Sequence, residues 1–66
     1  MNWLLDLRER WLLSELSHAR NVATIRNAEY ETILRLDATS MSVLRARRRL
    51  KKAQARVARL ERALQS

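Results

Sequence analysis

Apolar residues recur at alternating intervals of three and four through the second half of the chain, and this spacing constrains the fold more than any other feature of the sequence. Its members are Val43, Ala46, Leu50, Ala53, Val57, Leu60 and Leu64. Such spacing places one narrow apolar stripe along a supercoiled helix, as in a coiled coil. No polar residue interrupts the stripe. These seven residues, which we call the seam, predict that this segment is a helix that binds other helices.

The composition predicts a chain that is almost entirely helical. Its 66 residues include no Gly and no Pro, the commonest helix terminators and turn formers. The absence of Cys excludes disulfides and thiolate metal sites. A chain this short buries too little surface to be robust alone, so oligomerisation or a partner is expected to complete its core. We therefore expect residues 1–66 to form one small all-α domain.

The first half of the chain predicts a helix from about residue 2 to residue 36, with Asn2 as its N-cap. At about 100° per residue, two apolar stripes appear on this helix. The first stripe consists of Trp3, Leu4, Leu7, Trp11, His18, Val22, Ile25 and Leu36. The second stripe consists of Leu5, Leu12, Leu16, Ala19, Ala23, Tyr30 and Ile33. A helix that is apolar on two sides must be covered on two sides, which implies two neighbours.

The N-terminal end of the first stripe, which we call the N-terminal patch, consists of Trp3, Leu4, Leu7 and Trp11. One interpretation is that it belongs to the core of a small helical bundle. The other is that it is an exposed anchor for another protein or for a membrane interface. Asp6 and Glu9 flank the patch and weaken the membrane version.

A break between the helices is predicted at residues 37–40, where cap-type side chains cluster. Asp37 or Ser40 is expected to start the second helix, which runs from about residue 40 to residue 65. The chain is then either a helical hairpin or kinked helix pair, or a single rod of roughly 95 Å; in a hairpin, Trp3 to Leu7 would lie beyond the end of the second helix. The absence of Gly favours the rod, whereas the two-sided first helix favours the hairpin. Both are all-α folds with a C-terminal coiled-coil seam.

The formal net charge of +7 is concentrated in the second half of the chain. Residues 1–34 carry four Arg against five acids, a net charge of −1, whereas residues 35–66 carry ten Lys or Arg against two acids, a net charge of +8. The cations around the seam, which we call the basic face, are Arg45, Arg47, Arg48, Arg49, Lys51, Lys52, Arg56, Arg59 and Arg62. They are either solvated positions of a coiled coil or a surface for an acidic protein or for nucleic acid. No aromatic residue is interleaved with them, so base stacking is not supported.

Self-association through the seam is electrostatically poor. In a parallel homodimer, Arg49 would face Gln54 and Arg56 would face Glu61, and only the second pairing is attractive. The remaining positive charge would be uncompensated. An acidic partner, either protein or nucleic acid, is therefore expected to fit this half better than a second copy does.

The sequence carries little that resembles catalytic or metal-binding chemistry. With one His, no Cys and scattered acids, it has no nucleophile and base set and no Gly-rich phosphate loop. The segment Glu15-Leu-Ser-His18 matches the E-x-x-H pattern of two-metal helical bundles, and in a hairpin Glu61 would lie level with Glu15. The pattern also arises by chance in charged helices. We expect no catalytic, cofactor-binding or metal-binding residues, no cofactor and no enzymatic activity.

These observations favour a non-enzymatic, cytoplasmic interaction module, such as an adaptor, assembly factor or co-chaperone, that binds partner helices through the seam. Membrane insertion is not expected, because no uncharged apolar run approaches the roughly 18 residues that span a bilayer. The alternative is a small nucleic-acid-binding helical dimer that uses the Arg/Lys-rich face of residues 45–62.

Overall fold

The computed structural model describes residues 3–36 and 39–65, which form two helices. Helix α1 spans Trp3–Leu36 and helix α2 spans Ser40–Gln65, and these described ranges contain no strand. The molecule measures 55 × 15 × 12 Å. A helix of 34 residues is by itself roughly 51 Å long, so the two helices lie side by side. The all-α hairpin is confirmed, and the alternative of a continuous rod is wrong.

A side-chain cap starts α2. The backbone N–H of Ser42 donates a hydrogen bond of 3.4 Å to the Thr39 hydroxyl oxygen, and the two hydroxyl groups also contact each other. The backbone N–H of Val43 donates to the Thr39 carbonyl oxygen at 3.0 Å. Thr39 is therefore the N-cap and Ser40 is the first helical residue. The other two residues expected at helix starts, Asn2 and Asp37, lie outside the described residues.

The core forms where the second stripe of α1 meets the seam of α2. Leu12, Leu16 and Ala19 are buried, and Ala23, Tyr30 and Ile33 are half-buried, whereas Leu5, the first residue of the stripe, is 58% exposed because it lies beyond the end of α2. On α2, Ala46 is buried and the other six seam residues are half-buried. Because the helices pack on each other, these two stripes cover one another. The seam therefore takes part in the contact between the two helices, although six of its residues are only half-buried.

Two ion pairs cross between the helices and define their antiparallel register. Arg56 Nη2 lies 2.6 Å from Glu15 Oε2, and Arg20 Nη2 lies 3.1 Å from Glu61 Oε2. Glu15 and Arg56 each precede a core residue, whereas Arg20 and Glu61 each follow one, so the pairs lie on opposite flanks of the core. The two ion pairs therefore determine which core residues of α1 and α2 lie opposite each other.

The register follows from these pairs and extends in both directions. Leu16 is level with Leu60, and Ala19 is level with Val57. Continuing the same antiparallel register toward the open end places Leu12 level with Leu64. At 26 residues, α2 is shorter than α1, and so the first two turns of α1 extend roughly 12 Å beyond it. A cleft of about 200 Å³ marks the point where α2 ends, lined by Leu5, Arg8, Glu9, Leu12, Ala63 and Leu64.

Candidate interaction surfaces

The N-terminal patch remains exposed after the hairpin has formed. Its four residues, Trp3, Leu4, Leu7 and Trp11, are between 49% and 66% exposed. The first stripe continues along α1 with Ile25, which is 56% exposed, and with half-buried Val22. The hairpin thus covers one of the two apolar stripes of α1 and leaves the other open.

Arg26 lies at the edge of the helix interface, at a position that neither predicted stripe includes. From Leu12 onward the residues of the second stripe recur at alternating intervals of four and three, and Arg26 fits this spacing between Ala23 and Tyr30. The antiparallel register places it level with Leu50. Its guanidinium group is half-buried and donates bonds of 3.2 and 3.1 Å to the two carboxylate oxygens of Glu29. If the four-and-three spacing of the second stripe is continued past Ala23 without requiring an apolar residue, it predicts Arg26 at this position.

The basic face is exposed along its length, but its members do not share one environment. Four of them recur at intervals of three, four and three on the flank of α2 next to the core: Arg49, Lys52, Arg56 and Arg59. Together with Arg26 they line a groove of about 450 Å³ between the helices, whose apolar floor consists of Val22 and Ala53. We call this the basic groove. The other members of the basic face do not line it: Arg45, Arg47, Arg48, Lys51 and Arg62.

The positive charge of the basic groove is only partly neutralised. Arg26 is paired with Glu29, and Arg56 is paired with Glu15. Arg49, Lys52 and Arg59 have no ion pair within the described residues. Three cations of the groove are therefore not neutralised by any acid in the part of the chain that the structure describes.

The acid of the E-x-x-H segment and the acid expected level with it, Glu61, both form ion pairs between the helices. The carboxylate of Glu15 binds Arg56 and that of Glu61 binds Arg20, while His18 is exposed. Among residues 3–36 and 39–65, no group of three His, Cys, Asp or Glu side chains is placed to hold a metal ion. The arrangement of these residues serves the pairing of the helices.

No protein-family model, curated protein or solved structure matches this chain. Neither helix, as far as the structure describes the chain, has the length and apolar character needed to cross a membrane. The hairpin thus presents two candidate surfaces, an exposed apolar stripe on α1 and a cationic groove beside it.

Proposed function

We propose that the protein is a non-enzymatic interaction module, of the adaptor, assembly-factor or co-chaperone type, that binds a helix of another protein. The observation that carries this proposal is the exposure of the N-terminal patch in the closed hairpin. Contiguous exposed apolar residues are typical of interaction sites, and Trp is enriched among residues that dominate binding energy. The patch offers both Trp residues of the chain, Trp3 and Trp11, within three turns of one helix.

The seam contributes to this function indirectly. By packing against the second stripe of α1, it holds the hairpin closed and leaves the first stripe available for a partner. A partner helix on the first stripe would supply the second neighbour that the two-sided α1 requires. The protein therefore acts as a two-helix platform to which a third helix is added.

Nucleic-acid binding is the second candidate, and the basic face favours it. Nine exposed cations on one helix could contact phosphates without reading sequence. This candidate leaves the N-terminal patch without a role, which is why we rank it second.

The test is capture of partners from an extract of the native source, with and without nuclease treatment. We expect a protein to be retained after nuclease treatment and to be lost with the variant Trp11→Ser. The matched control is Leu13→Ser, because Leu13 is 51% exposed on the same helix but outside the first stripe. Retention of nucleic acid alone, or equal loss with both variants, would count against the proposal.

Salt separates the two candidates independently. Binding to phosphates should weaken log-linearly with salt concentration until it is lost, whereas a complex that also buries the apolar N-terminal patch should still be retained at high salt. The same capture experiment repeated over a salt series therefore distinguishes them.

A further inference from the structure

The basic groove and the first stripe lie side by side, and together they define the chemistry of a partner. Val22 belongs to both, because it is a member of the first stripe and forms part of the groove floor. The exposed residues Trp11 and Ile25 continue this stripe along α1, while Arg49 and Lys52 form the opposite wall on α2. Resting on the function proposed above, we infer that this surface binds an acidic amphipathic helix of another protein.

The charge of the groove specifies acids on one flank of that helix. From Arg49 to Arg59 the cationic row extends over roughly 15 Å along α2, or about three helical turns. Its members recur at intervals of three and four, so Asp or Glu residues at the same intervals on an adjacent helix would meet them along one flank. Three members of the row have no ion pair among the described residues: Arg49 and Arg59 at its two ends, and Lys52 between them. Carboxylates facing them would form charge-assisted hydrogen bonds.

The lining of the groove is suited to a partner that binds as a helix. Its floor consists of the small side chain of Ala53 and half-buried Val22, which permits close approach of a further element. An apolar face with residues at intervals of three, four and seven would cover the first stripe, in the manner of a helix in a hydrophobic groove. The acids would lie on the flank of that helix that faces α2. One occupant thus covers the apolar stripe and neutralises the row.

A second copy of this chain fits the surface poorly. Each copy has a net charge of +7 and would bring an identical cationic row to the interface. The acids that lie nearest the groove, Glu15 and Glu29, are already paired with its cations. A nucleic-acid backbone would neutralise the row but would leave the exposed apolar residues Trp11 and Ile25 uncovered. Charge and apolar exposure together favour an acidic helix of a different protein.

The inference is tested with designed peptides on the full-length protein. The probe is an amphipathic helix of about 20 residues, with Leu on one face and Glu along one flank, and the comparison peptide has Gln in place of Glu. Binding is followed by fluorescence anisotropy of a labelled peptide. A labelled duplex oligonucleotide of mixed sequence is measured in parallel.

Two triple variants with the same net charge make the experiment specific. The groove variant carries Arg49→Gln, Lys52→Gln and Arg59→Gln, and the control variant carries Arg47→Gln, Arg48→Gln and Lys51→Gln. We expect the Glu peptide to bind more tightly than the Gln peptide. The groove variant should weaken the Glu peptide about tenfold or more, and the control variant by less than about threefold. Circular dichroism of both variants verifies that the hairpin is retained.

The inference is overturned if the Glu and Gln peptides bind with equal affinity, or if both triple variants weaken binding of the Glu peptide equally. It is also overturned if the oligonucleotide binds more tightly than the Glu peptide and both variants weaken its binding equally. The variant Ile25→Ser should also weaken the Glu peptide, and no effect would remove the first stripe from the site. Failure of these tests is distinct from failure of the proposed function. If the Trp11→Ser variant still fails to retain a captured protein, the proposal of an interaction module stands. Only the inference that the partner binds in the basic groove is then refuted.

Discussion

Two adjacent leucines in α1 give a sharp test of the hairpin. Leu12 is 6% exposed and lies level with Leu64, whereas its neighbour Leu13 is 51% exposed and points away from the core. Substitution by Ala removes the same atoms and has the same small effect on helix propensity at both positions. Any difference between the two variants therefore reports on burial in the hairpin.

The expected magnitude follows from this burial. Truncation of a fully buried Leu costs about 2–5 kcal/mol, and a site at the open end of a two-helix structure can relax toward the lower limit, so Leu12→Ala should cost about 2–3 kcal/mol. Leu13→Ala should cost less than about 1 kcal/mol. A chain of 66 residues has a total free energy of unfolding of only about 3–10 kcal/mol, so the first change removes a large share of it.

The assay is urea denaturation followed by circular dichroism at a helical wavelength, at low temperature. With a slope of about 1 kcal/mol per molar urea, Leu12→Ala should lower the midpoint by about 2 M or more and Leu13→Ala by less than about 1 M. Leu12→Val is the milder variant to use if Leu12→Ala is unfolded without urea. Equal effects at positions 12 and 13, or a larger effect at position 13, would refute the packing of the second stripe against the seam.

Three further predictions concern individual contacts. Thr39→Ala should destabilise the hairpin by about 1 kcal/mol because it removes the α2 cap, while Thr39→Ser should retain most of the stability. Equal urea midpoints for the two variants would contradict the cap. Arg26→Leu should raise the urea midpoint, because it replaces a half-buried charge at the edge of the helix interface by an apolar side chain, and a lowered midpoint would contradict this placement. In a double-mutant cycle, Glu15→Gln and Arg56→Gln should show a coupling of about 0.2–1 kcal/mol that declines in high salt, and additive effects at low salt would contradict the ion pair.

The sequence predicted the helical class and both apolar stripes of α1, because these depend only on residue spacing along one helix. The choice between hairpin and rod stayed open, because no Gly or Pro marked a turn and the decision depends on which stripe finds a partner. The structure resolves it through contacts that are distant in sequence, such as the pairing of Arg20 with Glu61.

The basic groove could not be predicted for a related reason. The sequence groups nine cations into one basic face, but only the antiparallel register determines which flank of α2 lies beside α1. Glu15 and Arg56 meet on that flank, and their pairing places Arg49, Lys52 and Arg59 along the groove. Arg26 was not predicted to lie at the helix interface, because the stripes were defined by apolar residues alone and Arg26 is charged.

The two turns of α1 that extend beyond α2 should be less stable than the rest of the helix, and this affects how a partner binds to them. Helical hydrogen bonds in this segment are supported by little tertiary burial, since Trp3 and Leu4 are largely exposed. A short helix without packing is marginal in water, so this end should open locally at a small free-energy cost. Its amide protons should therefore exchange with solvent much faster than those around buried Leu16 and Ala19. A partner that binds here would slow this exchange, and part of its binding energy would be spent on ordering the helix end, which favours reversible association.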